Sequence, residues 1–261
     1  MELMHLDYLN PLLTHFEPVS LEEMNAVRLM NRIDTKYTTS IDLLPAILLS
    51  LQKDYRIQEI TCRRNMPYET TYLDTEGREM FMAHQNGRTV REKIRVRTYK
   101  DSGLTFLEVK NKNNKGRTDK KRILVSSLLN MQEEGAEDFL QKYAWYSLSQ
   151  LSGKLQNSFN RITLVNKQMT ERLTIDTNVC FQDLLTAQQA AMDQVAIIEL
   201  KRDGNHFSPV KEILHQMHVL PVSISKYCLG SVLTNPALKY NRFKPRIRKI
   251  EQIQIQNQIT I

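Results

Sequence analysis

Between Tyr55 and Lys201 the chain is dominated by short runs in which apolar or β-branched residues alternate with charged ones, and a period of two marks strands with one face buried. The clearest run is R-E-K-I-R-V-R-T-Y at 91–99. It sets Arg91, Lys93, Arg95, Arg97 and Tyr99 on one face and Glu92, Ile94, Val96 and Thr98 on the other. In L-T-F-L-E-V-K at 104–110, Glu108 and Lys110 share a face opposite Leu107 and Val109. The polar loop 111–119 then leads to K-K-R-I-L-V at 120–125, where Lys120 and Arg122 lie together. The pattern returns at 159–165 with Arg161, at 172–176 with Arg172 and Asp176, and at 195–201 with Glu199 and Lys201. R-I-D-T-K-Y at 32–37 reads as a further strand, and residues 55–74 as a β-rich stretch broken near Asn65 to Pro67.

Helical signals lie between and around these runs. Ser20 and Glu23 form a capping box that predicts a helix from Leu21 to Met30, and Ser40 reads as the N-cap of a helix through Leu51. A helical turn is expected over 76–82, followed by the Asn86-Gly87 turn, and helices over 133–141, 145–155, 208–218 and 223–233. The last nine residues, 253–261, again alternate with period two, which predicts a terminal edge strand or an unpaired end.

Composition narrows the class. The 261 residues are 41% apolar and 25% charged, as in an ordinary soluble globular protein, and no apolar run approaches the ~20 residues of a membrane-spanning helix. The amino terminus carries Glu2 and no basic n-region, so a cytoplasmic protein is expected. Cys62, Cys180 and Cys228 are far apart and lack C-x-x-C spacing, which excludes a disulfide framework and a thiolate zinc site and predicts three buried thiols. The net charge of +7 is uneven, because residues 237–261 hold six cations against the single acid Glu251. The body is then nearly neutral, and global charge gives no argument for nucleic-acid binding. The expected organisation is one domain over 1–236 followed by a basic tail, which is either solvated or docks on an anionic surface.

What changes the picture is the phase of the cations. An antiparallel sheet with a solvated charged face would explain one such strand. Several strands with Arg or Lys in phase are costly, because like charges on neighbouring strands repel. A barrel of about eight strands encloses room for one small ligand, so the predicted fold is α+β, an antiparallel β-barrel with peripheral helices whose cations turn inward onto a polyphosphate. No Walker loop, G-x-G-x-x-G or G-x-S-x-G is present, and with only eight glycines the phosphate contacts must come from side chains. The histidines form no metal motif; His215 and His218, three apart, read as surface residues.

In order and spacing these segments resemble the polyphosphate polymerase (vacuolar transporter chaperone, VTC) domain of the triphosphate tunnel metalloenzyme superfamily. The motifs are R-I-D-T-K-Y at 32–37, Y-L-D-T at 72–75, K-I-R-V-R-T-Y at 93–99, F-L-E-V-K at 106–110 and K-K-R at 120–122. F-N-R at 159–161, R-L-T-I-D at 172–176, I-E-L-K at 198–201 and S-K-Y-C-L-G at 225–230 complete the set. The resemblance implies a tunnel of about eight antiparallel strands and makes Lys36, Arg95, Arg97, Lys110, Lys120, Arg161, Arg172 and Lys226 the phosphate-binding cations. It makes Glu199 the metal-binding acid, and Arg32, Lys93, Arg122, Lys201 and Ser225 are expected as further substrate contacts. Phe159 and Ser223 depart from the Tyr and Lys that family members can carry there.

Transfer of a phosphoryl group needs positioning and charge neutralisation more than a protein nucleophile. Mg²⁺ or Mn²⁺ on Glu199, with Glu108 the second choice, would bridge phosphate oxygens. The hydrolytic and cyclase branches show E-x-E-x-K where this chain has R-I-D-T-K at 32–36. A cation in place of an acid favours an anionic acceptor, so the expected reaction is transfer from ATP to phosphate or growing polyphosphate. Triphosphate hydrolysis and non-catalytic polyphosphate or nucleotide binding are the alternatives, and peripheral association with a membrane protein or anionic surface is an expected partner for the tail.

Overall fold

The computed structural model describes residues 9–26, 32–204 and 207–256. Its strands are β1 (Glu17–Val19), β2 (Arg32–Ser40), β3 (Tyr55–Gln58), β4 (Asn65–Asp74), β5 (Arg91–Tyr99), β6 (Thr105–Lys112), β7 (Thr118–Val125), β8 (Ser152–Asn166), β9 (Glu171–Asp183), β10 (Gln189–Met192) and β11 (Val195–Asp203). The helices are α1 (Asn10–Thr14), α2 (Leu21–Ala26), α3 (Leu44–Leu51), α4 (Glu79–Gln85), α5 (Ala136–Tyr143), α6 (Pro209–Gln216), α7 (Lys226–Thr234) and α8 (Lys244–Gln256). Eight strands pair antiparallel in the order β2-β11-β9-β8-β4-β5-β6-β7, with β1, β3 and β10 attached at the sides. This is the α+β, antiparallel eight-stranded architecture that the alternation predicts; the expected barrel is a curled half-barrel, since among the described residues the end strands β2 and β7 do not pair with each other.

Directly paired residues share a face, and the register carries the charged set from strand to strand. Lys36 opposes Glu199, Lys201 opposes Arg172, and Asp176 opposes Arg161. Across the sheet, Tyr72 opposes Arg95, which opposes Glu108, while Lys110 opposes Lys120. The other face is apolar. Over β8, β9 and β11 it buries Ile162, Leu164, Leu173, Ile175, Ile198 and Leu200 beneath α1, α3 and α6.

The charged face is itself apolar toward one end. There Tyr72, Leu155, Phe181, Val195 and Ile197 are buried with α7, and α8 packs against β2 and β11. Gly230 lets α7 sit this close, since a β-carbon there would overlap the Phe181 ring and come 2.7 Å from Leu155 Cδ2. The Y-L-D-T motif anchors the same cover. Asp74, fully buried, accepts from the Met80 and Phe81 amides and from Tyr227 Oη at 2.5 Å, so it starts α4 and ties it to α7.

Several expectations need correction. The capping box forms as read, with the Ser20 amide donating to Glu23 Oε2 at 2.9 Å, but residues 27–30 of the expected helix lie outside the described residues. Strand pairing overrides the helix expected over 145–155: only Leu148–Gln150 makes a 3₁₀ turn, and β8 begins at Ser152, opposite Asp74. The break in the β-rich stretch falls between Gln58 and Asn65, and Pro67 is tolerated in β4 because it lies beyond Tyr68 and Tyr99, the last pair with β5. α4 begins at Glu79 and not 76 because the carboxylate of Asp74 holds its first amides. Of the three thiols only Cys228 is buried, since Cys62 lies in the β3–β4 turn and Cys180 on the exposed side of β9. The expected edge strand is a helix through Gln256, because Phe243, Ile247 and Ile250 bury one stripe in the core, and residues 257–261 lie outside the described residues. No described helix is long and apolar enough to cross a membrane.

Candidate active site: a basic cavity on the curled sheet

A cavity of about 1250 Å³ opens on the charged face, between β2, β5, β6 and β11 and beneath α4, α7 and α8. Ten of its lining side chains are cationic and two, Asp34 and Glu199, are carboxylates. Of the residues expected from the sequence, Arg32, Lys36, Lys93, Lys110, Glu199 and Ser225 line it. Lys36 stands on the first strand of the sheet path, yet it lines the same cavity as Lys93 and Lys110 near the other end, which shows how far the sheet curls.

Among the described residues no carboxylate pairs with Lys93 or Lys110 within ion-pair distance. Lys93 donates to Ser225 Oγ at 3.0 Å, and Lys36 donates to the Ile224 carbonyl at 3.1 Å. Burial, and then the neighbouring cations Lys36, Lys110 and Arg95, push Lys93 down to about 7; the nearby Cys228 thiol opposes that shift. Burial likewise lowers Lys110 to about 8, with Glu199 opposing and Lys36 adding to the shift. His84, on α4, is driven down to about 2 by burial and then by Lys93 and Arg91, so it enters the cavity as a neutral ring. An environment this hostile to added protons is electrostatically prepared for an anion.

The remaining expected cations lie on the same face outside that cavity lining, and most are held by acids. Arg161 makes a two-point contact with Asp176 at 2.5 and 2.8 Å, and Lys226 bonds the same carboxylate. Burial opposes the charge of Asp176, but Arg161 and Lys226 hold its carboxyl well below the usual range. Thus F-N-R, R-L-T-I-D and S-K-Y-C-L-G meet at one buried acid. In the same way Arg95 reaches Glu108 at 2.6 and 2.7 Å, and Lys120 bonds its other oxygen. Lys201 donates to Glu199 at 2.5 Å, with Lys36 3.7 Å from its second oxygen.

Three expected cations differ. Arg97 is buried and, among the described residues, its side chain donates to Thr70 Oγ1 alone, at 3.3 Å, with its guanidinium 5.8 Å from the Tyr68 ring centre. Arg172 donates to the Met24 carbonyl at 2.7 Å, toward α2. Arg122 is exposed and stacks on Phe106 at 4.4 Å. Phe159 stacks parallel to Tyr68 with ring centres 5.2 Å apart, and Lys226 lies 4.3 Å from its ring centre.

The two acids differ as metal ligands. Glu108 is 1% exposed and lies outside the cavity lining, with its oxygens taken by Arg95 and Lys120, so it does not fit the role. Glu199 lines the cavity with one oxygen bonded by Lys201 and the other 3.7 Å from Lys36, and Asp34, opposite Lys201 and paired with Arg32 at 2.7 Å, lines it on the same sheet face. The described residues hold no cluster of three His, Cys, Asp or Glu that would cage an ion. Mg²⁺ is commonly held by one or two carboxylates plus substrate phosphates and water, and Glu199 with Asp34 fits that mode.

Asp34, His84, Arg242 and Arg246 also line the cavity. The alternation at 32–37 placed Asp34 on the face of Lys36. The two arginines were hidden by the reading of residues 237–261 as a tail, although Phe243, Ile247 and Ile250 carry a helical spacing.

A family model described as VTC domain matches residues 31–235. No curated protein matches the sequence. Among solved structures, a proposed adenylate cyclase from Vibrio parahaemolyticus is similar at 13% identity, with 77% of this chain and 99% of that chain covered and a TM-score of 0.47. A Hippeastrum protein described as having a dominant triphosphatase activity is similar at 12% identity, with 80% of this chain and 97% of that chain covered and a TM-score of 0.44.

Proposed function

Because this chain belongs to the VTC domain family, we propose that it is a metal-assisted phosphotransferase that moves the terminal phosphoryl group of ATP to phosphate or to a growing polyphosphate chain. The observation that carries this reading is the cavity, with ten lining cations and two carboxylates. A nucleoside triphosphate brings about four negative charges and reacts through a loose transition state, so the protein's work is positioning and neutralisation. Lys36, Lys93 and Lys110 supply point charges, and Arg97 supplies a planar donor farther along the face, while Arg161 is held by Asp176. Arg95 and Lys120, held by Glu108, and Lys201, held by Glu199, give the rim a fixed geometry. A Mg²⁺ or Mn²⁺ ion on Glu199, with Asp34 on the same sheet face, would add charge stabilisation at the bridging phosphate oxygens. The acceptor is itself an anion, and the surplus of cations over a triphosphate leaves charge to receive it. The setting is the cytoplasm, where ATP and phosphate are both present.

Incubation of the purified protein with ATP and Mn²⁺ tests the proposal. Long-chain polyphosphate as product supports it; release of free phosphate alone would make the protein a triphosphatase, and ATP binding without product would make it a binding module.

A further inference from the structure

The lysines of the charged face differ in what their amines meet. Lys36, Lys120, Lys201 and Lys226 each lie within ion-pair distance of a carboxylate, and Glu199 favours the charged form of Lys110. A carboxylate neighbour keeps the proton on an amine. Among the described residues Lys93 has none in that range. Its Nζ donates instead to Ser225 Oγ at 3.0 Å, the hydroxyl that caps α7.

The groups gathered round this amine are cationic or neutral. Lys110 opposes Lys93 on β6, Arg91 and Arg95 share its strand face, Lys36 reaches the cavity from β2, and His84 and Cys228 enter it from α4 and α7. Burial keeps the Cys228 thiol protonated and the His84 ring neutral, so neither supplies a counter-charge. Arg91 Nε is buried with no hydrogen-bond partner among the described residues. Ser225 Oγ also accepts from the Cys228 amide at 3.4 Å, and its hydroxyl can turn to donate once an acceptor stands beside it. Burial and the surrounding cations hold Lys93 at about 7, so a large share of the amine is unprotonated at neutral pH and carries a free lone pair. The cage thus surrounds a nucleophile with charges suited to an anionic product.

We propose that Lys93 Nζ is a site of reversible carboxylation by dissolved CO₂, and that the carbamate is held by Ser225 and by the cations Lys36, Arg91 and Lys110. The nitrogen lone pair attacks the carbon of CO₂, an N–C bond forms as one C–O π pair moves onto oxygen, and the nitrogen releases one proton to solvent. No oxidant or further reagent enters. The product puts a planar anion among cations that otherwise repel one another, which offsets the loss of the amine's own charge. It also takes the place of a phosphoryl group, so CO₂ and a triphosphate exclude each other. That competition rests on the reading of the cavity as a phosphate site; the carboxylation does not.

Incubation of the full chain with ¹³C-bicarbonate tests this without any turnover. Trapping with triethyloxonium followed by peptide mapping should find the ethylated carbamate on Lys93, read in the parent protein and so independent of any variant's folding. The ¹³C carbamate resonance should disappear in Lys93→Arg, which keeps the positive charge, and should fall at least about tenfold from pH 8 to pH 6 at fixed dissolved CO₂ as Lys93 takes up its proton. Ser225→Ala should lower the adduct several-fold with the amine intact. No adduct on Lys93, adducts on other amines alone, or a resonance that persists in Lys93→Arg would overturn the site, and tripolyphosphate binding that stayed intact would then leave the phosphate reading standing. Saturating inorganic tripolyphosphate should erase the adduct. An adduct that survives it would uphold the carboxylation and remove the phosphate reading of the cavity.

Discussion

Two clusters on one sheet face hold their cations in opposite ways. Around Asp176 and Glu108, each buried carboxylate is shared by two cations, Arg161 with Lys226 and Arg95 with Lys120. Around Lys93 and Lys110 the cations meet hydroxyls, carbonyls and one another. In the first cluster each of these cations meets a carboxylate, although one negative charge serves two positive ones. In the second, Lys93 and Lys110 meet none among the described residues, and their like charges weaken the fold until an anion arrives. Basicity alone therefore does not locate the substrate; the distribution of the acids does. α7 joins the two, since adjacent residues at its start send Ser225 to Lys93 and Lys226 to Asp176.

The sharpest way to break this contrast is to remove an acid from the first cluster. Asp176→Asn leaves Arg161 and Lys226 buried without a counter-charge, and loss of one partner from a buried pair costs about 3–5 kcal/mol. Denaturant unfolding should show a loss of that size, while triphosphate affinity in calorimetry holds or rises because two cations are freed. A stability change below about 1 kcal/mol would mean that Asp176 does not carry the cluster.

The opposite sign is expected in the second cluster. Lys110→Ala removes a like charge from the repelling set, so melting temperature should hold or rise while triphosphate binding weakens by about 1.5–3 kcal/mol, the range for a charged hydrogen bond. Arg97→Ala should weaken binding likewise, since among the described residues the Arg97 side chain donates to Thr70 alone. Arg95→Ala is a poorer probe, because it also strips Glu108 of a partner. Destabilisation by Lys110→Ala with affinity intact would reverse the assignment of the two clusters.

The contrast was half legible in the sequence. Strand parity put Arg91, Lys93, Arg95 and Arg97 on one face of their strand and Glu108 with Lys110 on one face of the next, and pairing brings the two sets together. Parity says nothing of which cation an acid will take, because Arg161 and Asp176, or Arg95 and Glu108, meet only through cross-strand register. That register depends on turns and bulges, such as the shift between Ser158 and Asn160. The C-terminal segment misled for a different reason. Ile253 and the residues after it alternate with period two, whereas Phe243, Ile247, Ile250 and Ile253 follow a helical period, and burial of that stripe against the core decided between them. The helix expected at 145–155 failed the opposite way, with pairing to β4 winning over local spacing.

The smallest effect expected, and the most specific to the unpaired cluster, is a proton taken up on binding. Unliganded Lys93 is held at about 7 and Lys110 at about 8, chiefly by burial. A bound triphosphate favours their charged forms, so both values rise in the complex. At pH 6 the two lysines already carry their protons and binding takes up none through them. At pH 8.5 both are largely neutral, and binding must draw protons from solution, so affinity falls as pH rises from about 7 toward 9. The unliganded fold responds in the other direction. A lysine held below its unfolded value of about 10.5 costs stability fully at pH below the folded value, and that cost is relieved as pH climbs from about 7 to 10. Calorimetry at pH 8.5 in buffers of different ionisation enthalpy should therefore report uptake of about one proton or more, smaller in Lys93→Arg, and little at pH 6. Uptake that is equal at the two pH values, or unchanged by Lys93→Arg, would show that Lys93 keeps its charge in the empty cavity and that the second cluster is as well compensated as the first.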